Sequence, residues 1–134
     1  MILLTKELEK RFEKVGNQEN DKNPIVVIKF FNACGAGTWY VTEIIKYRLS
    51  NKEGVIKCTN SYKAKEDALK KGYKLDDVIF FGYASIFGDE CDEWGSFALS
   101  ELESVKGFAG LGIERDLYCG EKRISEFNIS SLRK

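Results

Sequence analysis

Carboxylates on or beside predicted strands are the side chains whose type and spacing could perform chemistry in this chain. They are Glu43, Asp89, Glu90, Asp92, Glu93, Glu101, Glu103, Glu114 and Asp116. Two or three carboxylates that converge on a sheet edge can hold Mg²⁺, because this ion prefers oxygen ligands. A metal-bound water could then attack a phosphodiester, with a lysine as helper. One hypothesis is therefore a metal-dependent endonuclease acting on single-stranded DNA.

The catalytic set of such a nuclease would be Glu43, Glu93, Glu114 and Asp116. The spacing disfavours this hypothesis, since the sequence has no D-x-D motif and no E-x-K motif after a predicted strand. Acidic residues in a turn are more often solvated loop residues. We therefore expect no metal site and no cofactor, with Mg²⁺ required only if the nuclease hypothesis holds.

The chain has no histidine. This absence excludes Ser-His-Asp and Cys-His catalysis and any histidine general base. It also excludes zinc hydrolases with histidine ligands. An enzyme with this sequence would depend on carboxylates, Lys, Tyr, Cys or Ser. The four cysteines form no C-x-x-C pair, so we expect reduced and inert thiols at Cys34, Cys58, Cys91 and Cys119.

Four aromatic side chains and one arginine are candidates for binding: Trp39, Tyr40, Trp94, Tyr118 and Arg115. Aromatic side chains on strands can stack on bases, although they more often belong to the core. Arg115 shares a predicted strand face with Ile113 and Leu117, so burial of that face would require a partner for its charge. We expect a structural ion pair, for which Glu43 is a candidate partner; the alternative is a guanidinium that holds an anion.

The stretch 93–118 contains the densest set of these candidates. Period-two alternation over 93–99 and 113–119 is typical of half-buried strands. Between them, Ser100 and Glu103 form a capping box, which predicts a short helix near 100–106. Gly107 then supplies the signal that ends this helix.

Helix-end signals predict two further helices. Thr5 caps an amphipathic helix over 6–15, which ends at Gly16. Ser125 caps a short helix at the C-terminal end of the sequence.

The remaining strands are predicted from apolar runs and alternation. They cover 25–31, 38–47 and 78–86. The first is almost wholly apolar, as in a central strand, and a short glycine-bearing turn joins it to the second as an antiparallel hairpin. These elements predict a single α+β domain over 1–134, with a mostly antiparallel sheet of about five strands.

The segment 48–75 is the most basic part of the chain. It predicts a short strand over 55–58 and a helix over 61–71 that ends at Gly72. Its lysines are Lys57, Lys63, Lys65, Lys70, Lys71 and Lys74. A solvated helix face is the favoured interpretation of this charge, and a docking patch for an acidic partner or a nucleic acid is the alternative.

Several motifs resemble those of the domain-of-unknown-function family 2958. They are LLTKELEKRF at 3–12, WYVTE at 39–43, DDVIFFGY at 76–83, and WGSFALSELESV followed by GLGIERDLY within 94–118. This family is common on plasmids and integrative conjugative elements, so the resemblance implies a bacterial mobile-element setting and an α+β fold. It implies no activity. The segment 48–75 falls outside the resemblance, and we interpret it as an insertion.

Composition describes an ordinary globular protein without net charge. Lys plus Arg and Asp plus Glu number 21 each, which disfavours a broad nucleic-acid interface. The first residues contain no long apolar run, and no segment is long enough to span a bilayer. We therefore expect a cytoplasmic protein without a membrane partner.

Two functions from different classes follow from this sequence. The favoured one is a non-enzymatic accessory protein of a mobile genetic element, which binds a protein of the host or of the element and could inhibit a host defence protein. It predicts an exposed aromatic or apolar patch. The alternative is the carboxylate nuclease described above.

Overall fold

The structure, a computed structural model, describes residues 2–33, 35–85, 92–105, 112–117, 120–127 and 129. The helices of this described part are α1 (Lys6–Val15), α2 (Tyr62–Lys70) and α3 (Leu99–Ser104). Its strands are β1 (Ile25–Val26), β2 (Ile28–Asn32), β3 (Thr38–Ser50), β4 (Ile56–Thr59), β5 (Lys74–Ser85), β6 (Glu93–Ala98), β7 (Ile113–Arg115) and β8 (Lys122–Arg123). A 3-10 turn over Ile124–Glu126 follows β8.

Six of these strands form one antiparallel sheet. Five of them are ordered β6-β5-β3-β2-β7, and β4 pairs with the second half of β3. The short strands β1 and β8 form a separate antiparallel ladder. The predicted α+β fold with a mostly antiparallel sheet is confirmed, with one strand more in the main sheet than the five expected.

Helix α1 begins and ends where the sequence predicts. Thr5 Oγ1 accepts the N–H of Leu8 at 3.3 Å, which satisfies a donor that the helix itself leaves free. Gly16 follows the helix with a φ of 73°, a conformation that favours glycine, and its N–H donates to the Phe12 carbonyl. The helix packs onto the sheet through Phe12, whose ring centroid lies 6.2 Å from that of Phe80.

The two faces of the main sheet have different coverings. The core on the helical face consists of Leu3, Phe12, Val27, Ile28, Phe30, Val41, Tyr47, Leu49, Ala68, Val78, Phe80, Leu102 and Ile113. All three described helices contribute to this core. On the second face, Ile124 and Ile129 pack against Tyr40 and Tyr83. The remainder of this second face, which we call the open face, carries no described helix.

The central strand β3 is irregular in its middle. Its register with β5 shifts twice between Val41 and Lys46, as β-bulges do. On its other side, pairing with β2 ends at Val41 and pairing with β4 begins at Tyr47. Residues 42–46 therefore face no partner strand on that side among the described strands. This gap in the sheet is where the candidate site lies.

The capping box predicted for Ser100 and Glu103 is wrong. The N-cap of α3 makes no side-chain cap bond of its own. Instead, the carboxylate of Asp77 on β5 accepts both the N–H of Ser100, at 3.1 Å, and its hydroxyl. The helix ends at Ser104. Gly107, the expected stop, lies outside the described residues. A neighbouring strand thus caps α3, and no local signal shows this.

The strand predicted over 25–31 is divided in two. β1 leaves the main sheet to pair with β8, and β2 begins at Ile28. The predicted strand over 113–119 ends at Arg115. Ser125 lies within the 3-10 turn instead of capping a helix, and its N–H donates to Asn23 Oδ1 at 3.0 Å. Local alternation does not reveal these departures because they depend on partners distant in sequence.

The segment 48–75 forms the strand and the helix that the sequence predicts. Ser61 Oγ accepts the N–H of Ala64 at 3.2 Å and caps α2, and Gly72 follows with a φ of 92°. Ala68 is buried in the core of the helical face. The segment is therefore integrated into the fold, and its status as an insertion stays a prediction.

Membrane-spanning helices and free thiols can be assessed for the described residues. No helix in it is both long and apolar enough to cross a membrane. Cys58 is an exposed free thiol. Cys34, Cys91 and Cys119 lie outside the described residues.

Candidate functional site

A cleft of about 890 Å³ lies beside the unpaired part of β3. Its volume falls within the range of about 300–1,000 Å³ that ligand sites occupy. We call it the β3 cleft. The lining residues that determine its charge and its apolar surface, or that fix its wall, are Glu13, Gln18, Glu19, Glu43, Ile45, Phe81 and Trp94. They come from α1, from the loop after it, and from three adjacent strands. No short sequence motif contains them.

A row of side chains crosses the open face beneath the cleft. Glu43 on β3 lies opposite Phe81 on β5 in the strand register. The ring of Phe81 stacks on that of Trp94 on β6, with centroids 6.0 Å apart and an interplanar angle of 15°. The ring of Tyr83 also packs edge to face against that of Trp94, with centroids 5.4 Å apart. A carboxylate and two stacked rings thus lie side by side.

The apolar part of this surface is accessible to solvent. Trp94 and Ile45 are each 38% exposed. Large apolar side chains that remain exposed around a concavity are typical of interaction sites. The prediction of an exposed aromatic patch therefore has a structural counterpart here.

The loop 16–24 forms the wall of the cleft and is fastened to the sheet by Gln18. Gln18 Nε2 donates to the carbonyls of Ile25 and Thr42, both at 2.8 Å. Its Oε1 accepts the N–H of Ile25 at 2.6 Å. The buried amide thus replaces part of the backbone pairing that a strand would supply at the gap. A wall fixed in this way needs little ordering when a ligand binds.

The far end of the same loop is held by the C-terminal part of the chain. Arg123 Nη1 donates to Asp21 Oδ2 at 3.1 Å and to the Asn23 carbonyl at 2.8 Å. The Asn23 N–H donates to Asp21 Oδ1, and this bond, followed by the Arg123 guanidinium, holds the pKa of Asp21 below its usual value. Asp21 is therefore a paired, structural carboxylate.

The other carboxylates of the cleft give it a negative potential. Glu13 and Glu19 line it from the helix and the loop, and Glu43 from the sheet, against a single lysine, Lys22. Burial, and then the neighbouring charge of Glu19, raise the pKa of Glu43 above its usual value. No salt bridge joins Glu19 or Glu43 to a basic side chain within the described part. The arrangement favours a cation.

A buried ion-pair cluster lies next to the cleft, and we call it the Lys65 cluster. Its members are Glu9, Tyr47, Tyr62, Lys65 and Glu66. Lys65 is only 2% exposed, and its Nζ lies 2.7 Å from Glu9 Oε1 and 3.2 Å from Glu66 Oε1. Nζ also lies 5.3 Å from the ring centroid of Tyr47 and 4.6 Å from that of Tyr62. A charge removed from water in this way must be compensated.

Burial in the Lys65 cluster changes the pKa of its tyrosine Tyr47. Burial, and then the nearby Glu9 carboxylate, raise the pKa of Tyr47 far above its usual value. The ammonium of Lys65 compensates the charge of Glu9 Oε1 as an ion pair, although this oxygen accepts no hydrogen bond of good geometry. The predicted solvated helix face is wrong for Lys65, which is buried. Its spacing from Ala68 and Leu69 puts it in phase with the apolar stripe of α2, which is the signal that was missed.

The four carboxylates of the nuclease hypothesis do not converge. Glu43 lies on β3, Glu93 on the edge strand β6 and Glu114 on the opposite edge strand β7. Four strand intervals separate the two edges, about 19 Å. Asp116 follows β7 and forms an ion pair with Lys29 at 3.7 Å. Among the described residues, no group of three acidic or thiol side chains could hold a metal ion. Asp89 and Glu90 lie outside them.

The predicted binding residues have different environments. Trp94 is part of the β3 cleft. Trp39 packs against the core of the helical face. Tyr40 belongs to the second core and meets Phe127 edge to face at 5.0 Å. Tyr118 lies outside the described residues. Sequence alone could not separate these aromatics, because all of them lie in alternating strands.

Arg115 is a structural residue of a kind that the sequence did not predict. Its Nη1 donates to the carbonyls of Ile2 and Leu3, at 3.1 and 3.3 Å. It therefore fastens the segment before α1 to β7. The expected pairing with Glu43 is wrong, since the registers place Arg115 level with Trp39, four residues or about 13 Å along β3 from Glu43.

The structure is that of a small α+β protein with a cleft beside the unpaired part of its central strand. The chain belongs to the family described as "Protein of unknown function (DUF2958)", whose model matches residues 3–57 and 50–131. The resemblance seen in the sequence motifs is thereby confirmed. No match to a curated protein or to a solved structure is found.

Proposed function

We propose that this protein is a non-enzymatic interaction protein that binds a protein partner through the β3 cleft. The observation that carries the proposal is the cleft itself, where unpaired carboxylates border exposed aromatic and aliphatic side chains. An apolar centre with a polar rim is the usual anatomy of a protein interface. The fastened wall fits this role, because a preformed surface binds without a large cost of ordering.

The electrostatics of the cleft favour a protein over a nucleic acid. A phosphate backbone is held by Lys and Arg, whereas carboxylates outnumber the single lysine, Lys22, in the lining of this cleft. The chain as a whole has no positive excess to compensate for them. The partner therefore presents neutral or basic groups to the cleft.

The biological setting belongs to the same proposal. We infer from the family resemblance that the protein works in the bacterial cytoplasm as an accessory of a mobile genetic element. Its partner would be a protein of the host or of the element, and inhibition of a host defence protein is one outcome of such binding. This part rests on analogy within the family.

The test compares two isoleucines that are exposed on different strands. Affinity capture from a host lysate is carried out with wild type, Ile45→Lys and Ile56→Lys. Ile45 lies in the cleft, whereas Ile56 lies on β4 and is 56% exposed. We expect Ile45→Lys to reduce capture of the partner about tenfold or more, since a charge at the centre of an interface is costly, and Ile56→Lys to retain it.

Equal capture by all three proteins would contradict the proposed binding surface. A second assay tests the alternative function: labelled single-stranded DNA is incubated with the protein in Mg²⁺ and in EDTA. The proposal predicts no metal-dependent cleavage. Cleavage that disappears in the Asp116→Asn variant would refute it in favour of a nuclease.

A further inference from the structure

The open face beneath the β3 cleft offers an aromatic platform beside a carboxylate. Phe81 and Trp94 are stacked and partly exposed, and Glu43 is their neighbour across the β3–β5 ladder. Ile45, at a bulge of β3, adds an exposed aliphatic edge. An apolar strip without a neighbouring charge would accept any apolar partner. The adjacent charge makes the surface selective.

Glu19 supplies a second carboxylate from the wall of the cleft. Burial disfavours ionisation of Glu43, and the charge of Glu19 disfavours it further. Glu19 is held in place by a turn in which its N–H donates to Asn17 Oδ1 at 2.7 Å. A cation placed between the two carboxylates would relieve their repulsion, whereas an anion would increase it.

We propose that the β3 cleft binds an arginine side chain on an exposed segment of the partner protein, with the guanidinium between Glu43 and Glu19 and its plane against Trp94. This inference rests on the proposed function and specifies the partner chemistry. The surrounding apolar edge at Ile45 takes an aliphatic side chain of the same segment.

Arginine fits this surface better than lysine for two physical reasons. Its planar guanidinium can stack on an aromatic ring while its N–H groups donate to carboxylates in the same plane. Lysine has a compact, strongly hydrated ammonium with no plane that could stack on the ring of Trp94. Hydrogen bonds between charged groups are about twice as strong as neutral ones.

The chain provides its own reporter for this binding. It contains two tryptophans, Trp39 and Trp94. The conservative change Trp39→Phe leaves Trp94 as the sole source of indole fluorescence, directly in the cleft. This protein is titrated with the peptide acetyl-Gly-Leu-Arg-Leu-Gly-amide and with versions that carry citrulline, lysine or glutamate in place of arginine. Citrulline keeps the shape of arginine and removes its charge.

We expect a saturable change in Trp94 emission with the arginine peptide, and dissociation constants about tenfold higher or more with the citrulline and glutamate peptides. Lysine binding should fall in between. Glu43→Gln should weaken the arginine peptide about fivefold or more, and Glu19→Gln/Glu43→Gln further. Glu103→Gln, an exposed carboxylate on α3, is the matched control and should leave the affinity unchanged.

Equal affinity for the arginine and citrulline peptides would overturn the charge recognition, and equal affinity for arginine and lysine would overturn the choice of arginine. Absence of any response to the arginine peptide would overturn the inference as a whole. None of these outcomes decides the proposed function, because the capture assay with Ile45→Lys and Ile56→Lys does not depend on the chemistry of the bound segment.

Discussion

The Lys65 cluster and the β3 cleft are neighbours, but their charged side chains differ in whether they are paired within the chain. In the cluster, a lysine that is 2% exposed is surrounded by two carboxylates and two tyrosine rings. In the cleft, the charges of Glu19 and Glu43 act on each other, and neither carboxylate forms a salt bridge with a described basic side chain. The first arrangement satisfies its charges within the chain. The second leaves Glu19 and Glu43 without a salt bridge, as the proposed binding site requires.

Asp77 is an intermediate case between these two regions. Its carboxylate accepts the Ser100 N–H and hydroxyl and the N–H of Val78. It is thus fully used by the fold, although it is neither deeply buried nor paired with a cation. The three carboxylate environments predict three different responses to mutation.

The largest expected effect breaks the Lys65 cluster. Lys65→Met leaves Glu9, which is 6% exposed, as an uncompensated buried charge. We expect a loss of about 3–5 kcal/mol in the free energy of unfolding, measured by urea denaturation. Lys63→Met, at an exposed position of the same helix, is the matched control and should change little.

A double variant makes this prediction sharper. Because the cost arises from the remaining charge, Lys65→Met/Glu9→Leu should recover most of the lost stability. If the double variant is as unstable as Lys65→Met, the packing of the lysine stem, and not its ion pair, holds this region together.

The second prediction concerns the cross-strand cap of α3. Asp77→Ala removes the acceptor for Ser100 and should cost about 1 kcal/mol, the usual value of a lost N-cap. Asp76→Ala, one residue earlier on β5 and exposed, is the control. Equal midpoints of urea unfolding for the two variants would show that the cap contributes nothing.

The smallest expected effect has the opposite sign. Glu43→Gln removes a carboxylate whose ionised form is disfavoured by burial and then by Glu19. It should therefore raise the melting temperature at pH 7 by about 1–3 °C, the range of a favourable surface change. The same variant should weaken the arginine peptide. A gain in stability together with a loss of binding is the signature of a site kept for function.

The pH dependence of stability should separate the two regions directly. The raised pKa of Glu43 means that its favourable contribution is complete below its unfolded pKa and is lost as pH rises through the folded value. The pKa of Glu66 is shifted in the opposite direction, because the Tyr62 hydroxyl, and then Lys65, hold it below the usual value. Its contribution is present above its unfolded pKa and is lost as pH falls through the folded value.

The measurement is the melting temperature between pH 3 and pH 7 for wild type, Glu43→Gln and Glu66→Gln. Relative to wild type, Glu43→Gln should become more stable as pH rises, and Glu66→Gln less stable. Parallel curves for the three proteins would remove the electrostatic distinction between cluster and cleft.

Local elements were predicted well because their signals are local. Thr5 and Gly16 bound α1, Ser61 begins α2, and the turn before Thr38 makes a hairpin. Each of these features depends on dihedral preference or on a hydrogen bond within a few residues. The family motifs likewise lie in contiguous runs, and the family match confirms them.

The candidate site was predicted only in part. Trp94 and Glu43 were named, but for different functions, and Glu19, Ile45 and Phe81 were not. These residues come from a loop and three strands, and only the bulges of β3 and the gap between β2 and β4 bring them together. A shift of one residue in register moves a side chain to the other face of a sheet, so the sequence pattern could not select among the alternatives.

The sequence by itself determined the fold class, the family, the absence of histidine chemistry and the positions of the locally capped helices, since composition and short-range hydrogen bonds suffice for these. Only the tertiary structure decided which carboxylates are paired and which are free. Pairing depends on distances between residues far apart in the chain, such as Glu9 and Lys65, and electrostatic energies change steeply with distance and burial. For that reason the same residue types form a structural cluster in one place and the proposed binding cleft beside it.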